Sequence, residues 1–255
     1  MRGSTGIRWA TLVVWLAVGA VTMPVNGAES VSSQCEPQTM VGKTVAGDLT
    51  GAIQEAKRCV SWSKAYETKT SPDVGLNQDN IIPVTALGYY QCAQAQLEAA
   101  TGDLKSARVH LADAEATDQK WAAFLHSPLI IWYPVLDVTR GFLLEKSGDL
   151  TGAKKWYADH PGGYTEIRLA ALALIESRDD DAAAIARQLL SSDPEDPNGW
   201  FVTGALAEKR HDNSAAISDY ERALRRTEKV GNQFLPIYYL NSARAREGIA
   251  RLKDK

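Results

Sequence analysis

The chain has only three cysteines in 255 residues, four histidines, three methionines and four phenylalanines. Each scarcity excludes a class. Three cysteines, Cys35, Cys59 and Cys92, cannot staple a disulfide-dense miniature fold; they permit one bridge and leave one thiol. Of the pairings, Cys35 with Cys59 is favoured, because it ties down an N-terminal stretch with little core of its own. His110, His126, His160 and His211 stand apart, with no second His or Glu at metal spacing and no HExxH, so no metal site is expected. No GxSxG elbow is present either. Basic excess is also lacking. The formal net charge is -3, which argues against a nucleic-acid binder.

Long apolar runs are nearly absent. The one candidate, Ala10 to Val21, follows Arg2 and Arg8 and is shorter than the roughly 20 residues of a membrane span. Small residues around Gly27 and Ala28 suit cleavage, so residues 1–28 read as an export signal. Its loss removes two positive charges and moves the net charge from -3 to -5. The mature chain is expected outside the cytoplasm, periplasmic or secreted, with a bacterial envelope favoured. Membrane contact is expected only through the signal.

One short pattern recurs. Ala46-Gly47-Asp48-Leu49-Thr50-Gly51-Ala52 returns nearly intact as Ser147-Gly148-Asp149-Leu150-Thr151-Gly152-Ala153, and Thr101-Gly102-Asp103-Leu104-Lys105-Ser106-Ala107 is a third copy. Degenerate copies start at Ser177 and Arg210. Each lies between apolar segments of helical period. Gly ends one helix in the left-handed region, Asp caps the next, and a small Ala lets the two helices approach. The unit is a helix-turn-helix written about five times.

In chain order, residues 29–46 show no convincing periodicity. Leu49 to Tyr66 reads as the second helix of a pair whose first helix is missing or degenerate, and Glu67 to Asn80 as a polar linker. These make an N-terminal segment, 29–79, ahead of a repeat domain, 80–255. Ile81 to Ala100 is the next helix. Its partner, starting at Leu104, is expected to fade near Asp118, before an aromatic-rich connection over 120–133. Ser127-Pro128 reads as a helix start, with a kink at Pro134 and an end at Lys146. Tyr164–Ser177 with Asp181–Leu190 form a pair whose phases disagree by one, implying an extra turn residue within Arg178–Asp180. Asp193–Pro197 breaks the chain. Asn198–Arg210 pairs with Ser214–Arg226, and a last helix runs from about Phe234 to Leu252.

Trp200, Gly204, Ala207, Ala216, Tyr220 and Ala223 resemble the signature of a tetratricopeptide repeat, with Ala207 in place of the usual Tyr and His211 in place of the turn Gly. Gly141, Gly148, Ala153 and Tyr157 match in an earlier pair, and Gly102, Ala107 and Ala114 in the one before. The resemblance covers most of 80–252. Gly47, Gly102 and Gly148 are spaced 55 and 46 apart, against a consensus of roughly 34. The implied fold is all-α: a right-handed α-solenoid of antiparallel helix pairs, with the C-terminal helix capping the last repeat.

The resemblance also implies a concave partner-binding groove along the first helices of successive pairs. Its positions here are Tyr89, Cys92 and Gln96; Val135, Val138 and Phe142; Thr165, Arg168 and Leu172; and Asn198, Phe201 and Ala205. The carboxylate-clamp variety is not expected, since only Arg168 and Asn198 suit it. An apolar, aromatic groove suits an extended or helical segment of a protein or peptide partner. The implied function is a non-catalytic interaction scaffold without cofactor. The alternatives are a self-associating structural subunit forming a homo-oligomer, and an enzyme with scattered catalytic residues. Gly42-Lys43-Thr44 lacks the upstream Gly of a phosphate loop, and the runs Asp179–Asp181 and Asp193–Asp196 read as helix-end and turn carboxylates rather than a calcium site.

Overall fold

The computed structural model describes residues 35–67, 78–125, 133–227 and 235–254. The described residues form eleven helices and no strand: α1 (Pro37–Val45), α2 (Leu49–Glu67), α3 (Gln78–Thr101), α4 (Leu104–Leu125), α5 (Tyr133–Lys146), α6 (Leu150–Asp159), α7 (Gly163–Ile175), α8 (Asp179–Ser192), α9 (Pro197–Lys209), α10 (Asn213–Thr227) and α11 (Pro236–Lys253). The expected signal, most of the polar linker and the core of the aromatic connection lie outside the described residues. No described helix is long and apolar enough to cross a membrane.

The repeated heptapeptide is one structural object used five times. Gly47, Gly102, Gly148, Ser177 and His211 all have positive φ. In each case the next residue sends its amide back five residues, as Asp149 does to Leu144 O, and the positive-φ residue itself bonds three back. This double bond closes a helix with a left-handed residue. The following Asp then accepts from a first-turn amide of the next helix: Asp48 from Gly51, Asp103 from Ser106, Asp149 from Gly152 and Asp212 from Ala215. Five residues after each positive-φ position stands an alanine with no exposed surface: Ala52, Ala107, Ala153, Ala182 and Ala216.

That alanine register corrects the sequence reading of the fourth turn. No extra residue lies within Arg178–Asp180. The left-handed residue is Ser177 and not Arg178, which shifts the phase by one. Arg178 stands where the other copies carry the capping Asp and makes no cap hydrogen bond. Asp179, Asp180 and Asp181 occupy the first turn of α8, where carboxylates complement the positive end of the helix dipole.

Two further boundaries differ. Residues 37–45 form α1, which packs on α2 and buries Met40, Val41, Thr44 and Val45, Met40 with Ala52 and Ala56 of α2, so the first pair has its first helix. The second helix of the next pair does not fade at Asp118: α4 runs to Leu125 and buries Trp121. The expected helix start at Ser127-Pro128 lies outside the described residues; within them α5 is described from Tyr133, with Pro134 as its second residue.

Consecutive helices pack as pairs across the tight turns, α1 on α2, α3 on α4, α5 on α6, α7 on α8 and α9 on α10. The first helices also meet across pairs, α3 on α5, α5 on α7 and α7 on α9. Close approach within a pair rests on glycine facing tyrosine. A Cβ on Gly141 would sit 2.1 Å from the Tyr157 ring, and one on Gly204 2.7 Å from the Tyr220 ring. Tyr220 is gripped from its other side by Gly248 of α11, where a Cβ would lie 2.6 Å from the ring. Cys35 is bonded to Cys59, which ties the chain ahead of α1 to the middle of α2.

Candidate functional site

The groove positions converge, and they are covered from within. Leu235, just ahead of α11, and Ile237 and Leu240 of α11 share one apolar cluster with Cys92 of α3, Val135, Val138 and Phe142 of α5, and Leu172 of α7. The helix packs on α1, α3, α7, α9 and α10. Thus α11 does stack on the last pair, as a capping helix would, but it also crosses the row of first helices and reaches the first pair. At that far end Tyr239 packs with Val41 and Val45 of α1.

Buried polar bonds fix its register. Gln96 is fully buried; its Oε1 accepts from Ile237 N at 3.1 Å, and its Nε2 donates to Thr139 Oγ1 at 2.8 Å. Leu235, at the N-cap of α11, has no polar side chain, so Gln96 supplies from α3 an acceptor for a first-turn amide. Asn241 Nδ2 donates to Asn198 Oδ1 at 2.9 Å, and the Tyr238 hydroxyl donates to Asp196 Oδ2 at 3.2 Å. The other oxygen of Asp196 caps α9 through the amides of Asn198 and Gly199.

The remaining groove positions serve the interior as well. Thr165 Oγ1 accepts from Gly162 N and donates to Gly162 O at the start of α7. Arg168, 1% exposed, is bound through two nitrogens to Glu145 of α5 and lies 4.9 Å from the Phe142 ring centroid. Phe201 packs beside Tyr220 in the cluster of the last two pairs. Tyr89 and Ala205 are half-buried, and Tyr89 meets Tyr90 edge-on. Of the groove set, therefore, Gln96, Val135, Val138, Phe142, Thr165, Arg168, Leu172, Asn198 and Phe201 are buried side chains, and the expectation that they offer an open binding surface is corrected. The resemblance named positions along the first helices of successive pairs; it did not say that the chain's own last helix packs on them.

The magnitude decides whether α11 is an occupant or a part of the fold. Burying Leu235, Ile237, Leu240 and Leu252 contributes about 1.5–3 kcal/mol each. Together that is about 6–12 kcal/mol, an upper estimate comparable to the whole net stability of a domain. A partner segment would have to replace all of it. α11 is a part of the fold.

Polar groups elsewhere are mostly satisfied. Glu98, buried on α3, accepts from Gln94 Nε2 at 2.9 Å and lies 2.6 Å from His110 Nδ1, while Gln94 Nε2 reaches His110 Nε2 at 3.1 Å. Both imidazole nitrogens are thereby engaged, which leaves neither free to act as a base. His160 sits at the end of α6 with Nδ1 2.9 Å from Trp156 O, stacked on the Trp156 ring at 4.0 Å. Cys92 is a buried free thiol, and burial pushes its pKa up to about 12. It is a packing residue and a poor nucleophile. Among the described residues, no group of three or more His, Cys, Asp or Glu is placed to hold a metal ion.

Sequence reasoning missed the cations near the Phe142 ring. Lys146, at the end of α5, has its Nζ 5.3 Å from the Phe142 ring centroid, on a ring that Arg168 also approaches. Arg244 follows Leu240 by one turn of α11, and burial first, then the like charge of Arg168, holds its pKa below the ordinary arginine value. Lys146 shows no periodic signal, and Arg244 lies 98 residues away from it in the chain. No family model matches this chain, and neither a curated protein nor a solved structure matches it.

Proposed function

We propose that this protein is a non-catalytic, exported interaction scaffold whose helix pairs wind as a right-handed solenoid of tetratricopeptide type. Its partners meet the outer helices α4, α6, α8 and α10 rather than the concave row. The observation that carries the reading is the seating of α11 across α3, α7 and α9 by buried hydrogen bonds, which leaves the second helices as the principal surface open to another protein. Export is supported by the apolar leader in the sequence and by the Cys35–Cys59 bond, a linkage that persists in oxidising compartments. The tetratricopeptide reading is supported by the five like turns and by the glycine–tyrosine contacts at Gly141–Tyr157 and Gly204–Tyr220, both sixteen residues apart.

The test is affinity capture on the mature protein from an envelope extract, followed by amide hydrogen exchange of the complex. Protection on the outer faces of α4, α6, α8 or α10, with α11 unchanged, is the expected result. Protection confined to α3, α5, α7 and α9 together with deprotection of α11 would refute the outer-surface assignment. Substitutions such as Phe142→Asp or Phe201→Asp cannot serve here, because both rings are interior and the variants would report on folding.

A further inference from the structure

Two bonds of different kinds hold the chain just ahead of α1. Cys35 is joined to Cys59 by the disulfide, and the backbone amide of Glu36 donates to Glu55 Oε1 at 3.3 Å. Glu55 and Cys59 stand four residues apart on α2, so both grip the segment from one face of that helix. Glu55 is buried, and its other oxygen is bound by Arg58.

The two sulfurs differ in access. Cys59 has no exposed surface and packs with Val60 of its own helix and with Leu87 and Tyr90 of α3. Cys35 is only partly buried, at the edge of the same cluster. Thiol–disulfide exchange needs a thiolate to reach one sulfur from the side opposite the sulfur that leaves. An attacker at Cys59 would have to enter the apolar cluster, whereas one at Cys35 comes from solvent. Opening the bond does not unseat the segment. Met40 packs with Ala52 and Ala56 of α2, and Val41 and Val45 with Tyr239 of α11, so α1 keeps its place without the disulfide. The Glu36–Glu55 bond then keeps Cys35 within reach of Cys59, and a thiol held in this way returns to its partner at high effective concentration.

We propose that Cys35 is a site of reversible S-thiolation by a low-molecular-weight thiol, and that Glu55 is the positioning residue that brings the native bond back. In the forward step a thiolate RS⁻ attacks Cys35 Sγ. A bond from RS to Cys35 forms, the bond to Cys59 breaks, and Cys59 leaves with the electron pair as a thiolate that takes up a proton. In the reverse step the Cys59 thiolate attacks Cys35 Sγ and expels RS⁻. A second RS⁻ attacking the outer sulfur of the mixed disulfide completes a two-electron reduction, with RSSR as the oxidised product and Cys35 released as a thiolate. This chemistry is independent of where protein partners bind.

The experiment equilibrates the mature protein with 2-mercaptoethanol and its disulfide at pH 7, traps the products with acid and maps them by mass spectrometry. The mixed disulfide is expected on Cys35 and not on Cys59, with Cys92 unmodified. Cys59→Ser should accumulate the adduct at Cys35, and Cys35→Ser should leave Cys59 unthiolated while folded. Glu55→Ala should lower the effective concentration for reclosure about tenfold, the loss expected for one hydrogen bond to a charged group. Glu55→Gln still offers an oxygen to the Glu36 amide and should restore most of it. Circular dichroism first confirms that the variants keep their helicity. An adduct on Cys59 in the folded wild type, or none until the protein unfolds, would overturn the site. Reclosure in Glu55→Ala equal to that of the wild type would overturn the positioning role.

Discussion

Replacing Gln96 by methionine tests the central structural assertion, that α3 caps α11 across 141 residues of sequence. The two side chains are similar in length and volume, so little cavity forms and the change is mainly one of polarity. Thr139 Oγ1 keeps a partner, since it also donates to Val135 O at 2.7 Å. Ile237 N does not. It lies in the first turn of α11, where no intrahelical carbonyl is available, and it is buried. An orphaned buried donor costs about 1–3 kcal/mol. For a chain of this size that lowers Tm by about 2–4 °C per kcal/mol, hence roughly 2–12 °C for the variant. Urea denaturation should shift in midpoint with an unchanged slope, because the same surface unfolds. Native-state hydrogen exchange should show the amides early in α11 losing protection ahead of the rest of the molecule. A variant within about 0.5 kcal/mol of the wild type, with α11 protection intact, would refute the capping role.

The other expectations follow from the same geometry. His211 has φ of 62° and an exposed side chain, so His211→Gly relieves left-handed strain of about 1–2 kcal/mol against about 0.5–1 kcal/mol of added unfolded-chain entropy. A net gain of up to about 1.5 kcal/mol should appear in chemical denaturation, and a loss would mean that the imidazole makes a contact the structure does not show. Joint replacement of Cys35 and Cys59 by serine releases a cross-link between residues 24 apart, with an expected loss of about 2–4 kcal/mol in oxidised protein. Equal stability of the variant and the wild type under non-reducing conditions would refute a native bond. Burial raises both Cys92 and Tyr90 to about 12, from ordinary values near 9 and 10. Above those ordinary values the unfolded chain releases the two protons while the folded chain retains them. Stability is therefore complete below about pH 9 and should fall by about 1.4 kcal/mol per pH unit for each group until pH 12. Denaturation midpoints between pH 8 and 11 measure that slope. Cys92 should also resist alkylation at pH 8 in the native state and react after unfolding.

What was legible in the sequence was local. The turns at Gly47, Gly102 and Gly148 declare themselves because a left-handed residue, a capping Asp and a small Ala must stand at fixed offsets within six residues. The weaker copies required a choice of register. Aligning Ser177-Arg178-Asp179 on Ser147-Gly148-Asp149 put Arg178 at the left-handed position and created a spurious insertion. The buried Ala182 sets the true phase, five residues after Ser177. α1 was missed for a related reason: Met40, Val41, Thr44 and Val45 are too few to make a period visible, and their burial depends on α2 and α11. The Cys35–Cys59 pairing was legible because the first stretch has so little apolar surface to hold it otherwise.

The packing of α11 on the first helices was not legible, and the cause is physical. Nothing in the sequence of α11 names α3 as its neighbour. The link is made by Gln96, a polar residue in the alanine-rich run Cys92-Ala93-Gln94-Ala95-Gln96, where helical periodicity alone gives a buried glutamine no reason to be there. A fully buried amide whose two ends reach Thr139 on α5 and Ile237 on α11 has a reason that only the tertiary arrangement supplies. The same holds for Asn198, half of whose amide serves Asn241. Polar residues on the expected groove face were thus the informative ones. On an open concave surface they would contact a partner; here they mark where the chain must recognise its own last helix and hold it at one height. Apolar contacts alone would let α11 slide by a turn, since leucine and isoleucine packing is tolerant of such shifts. The amide bonds are not, and any slip of α11 would strand both Gln96 and Asn198 without partners in the interior.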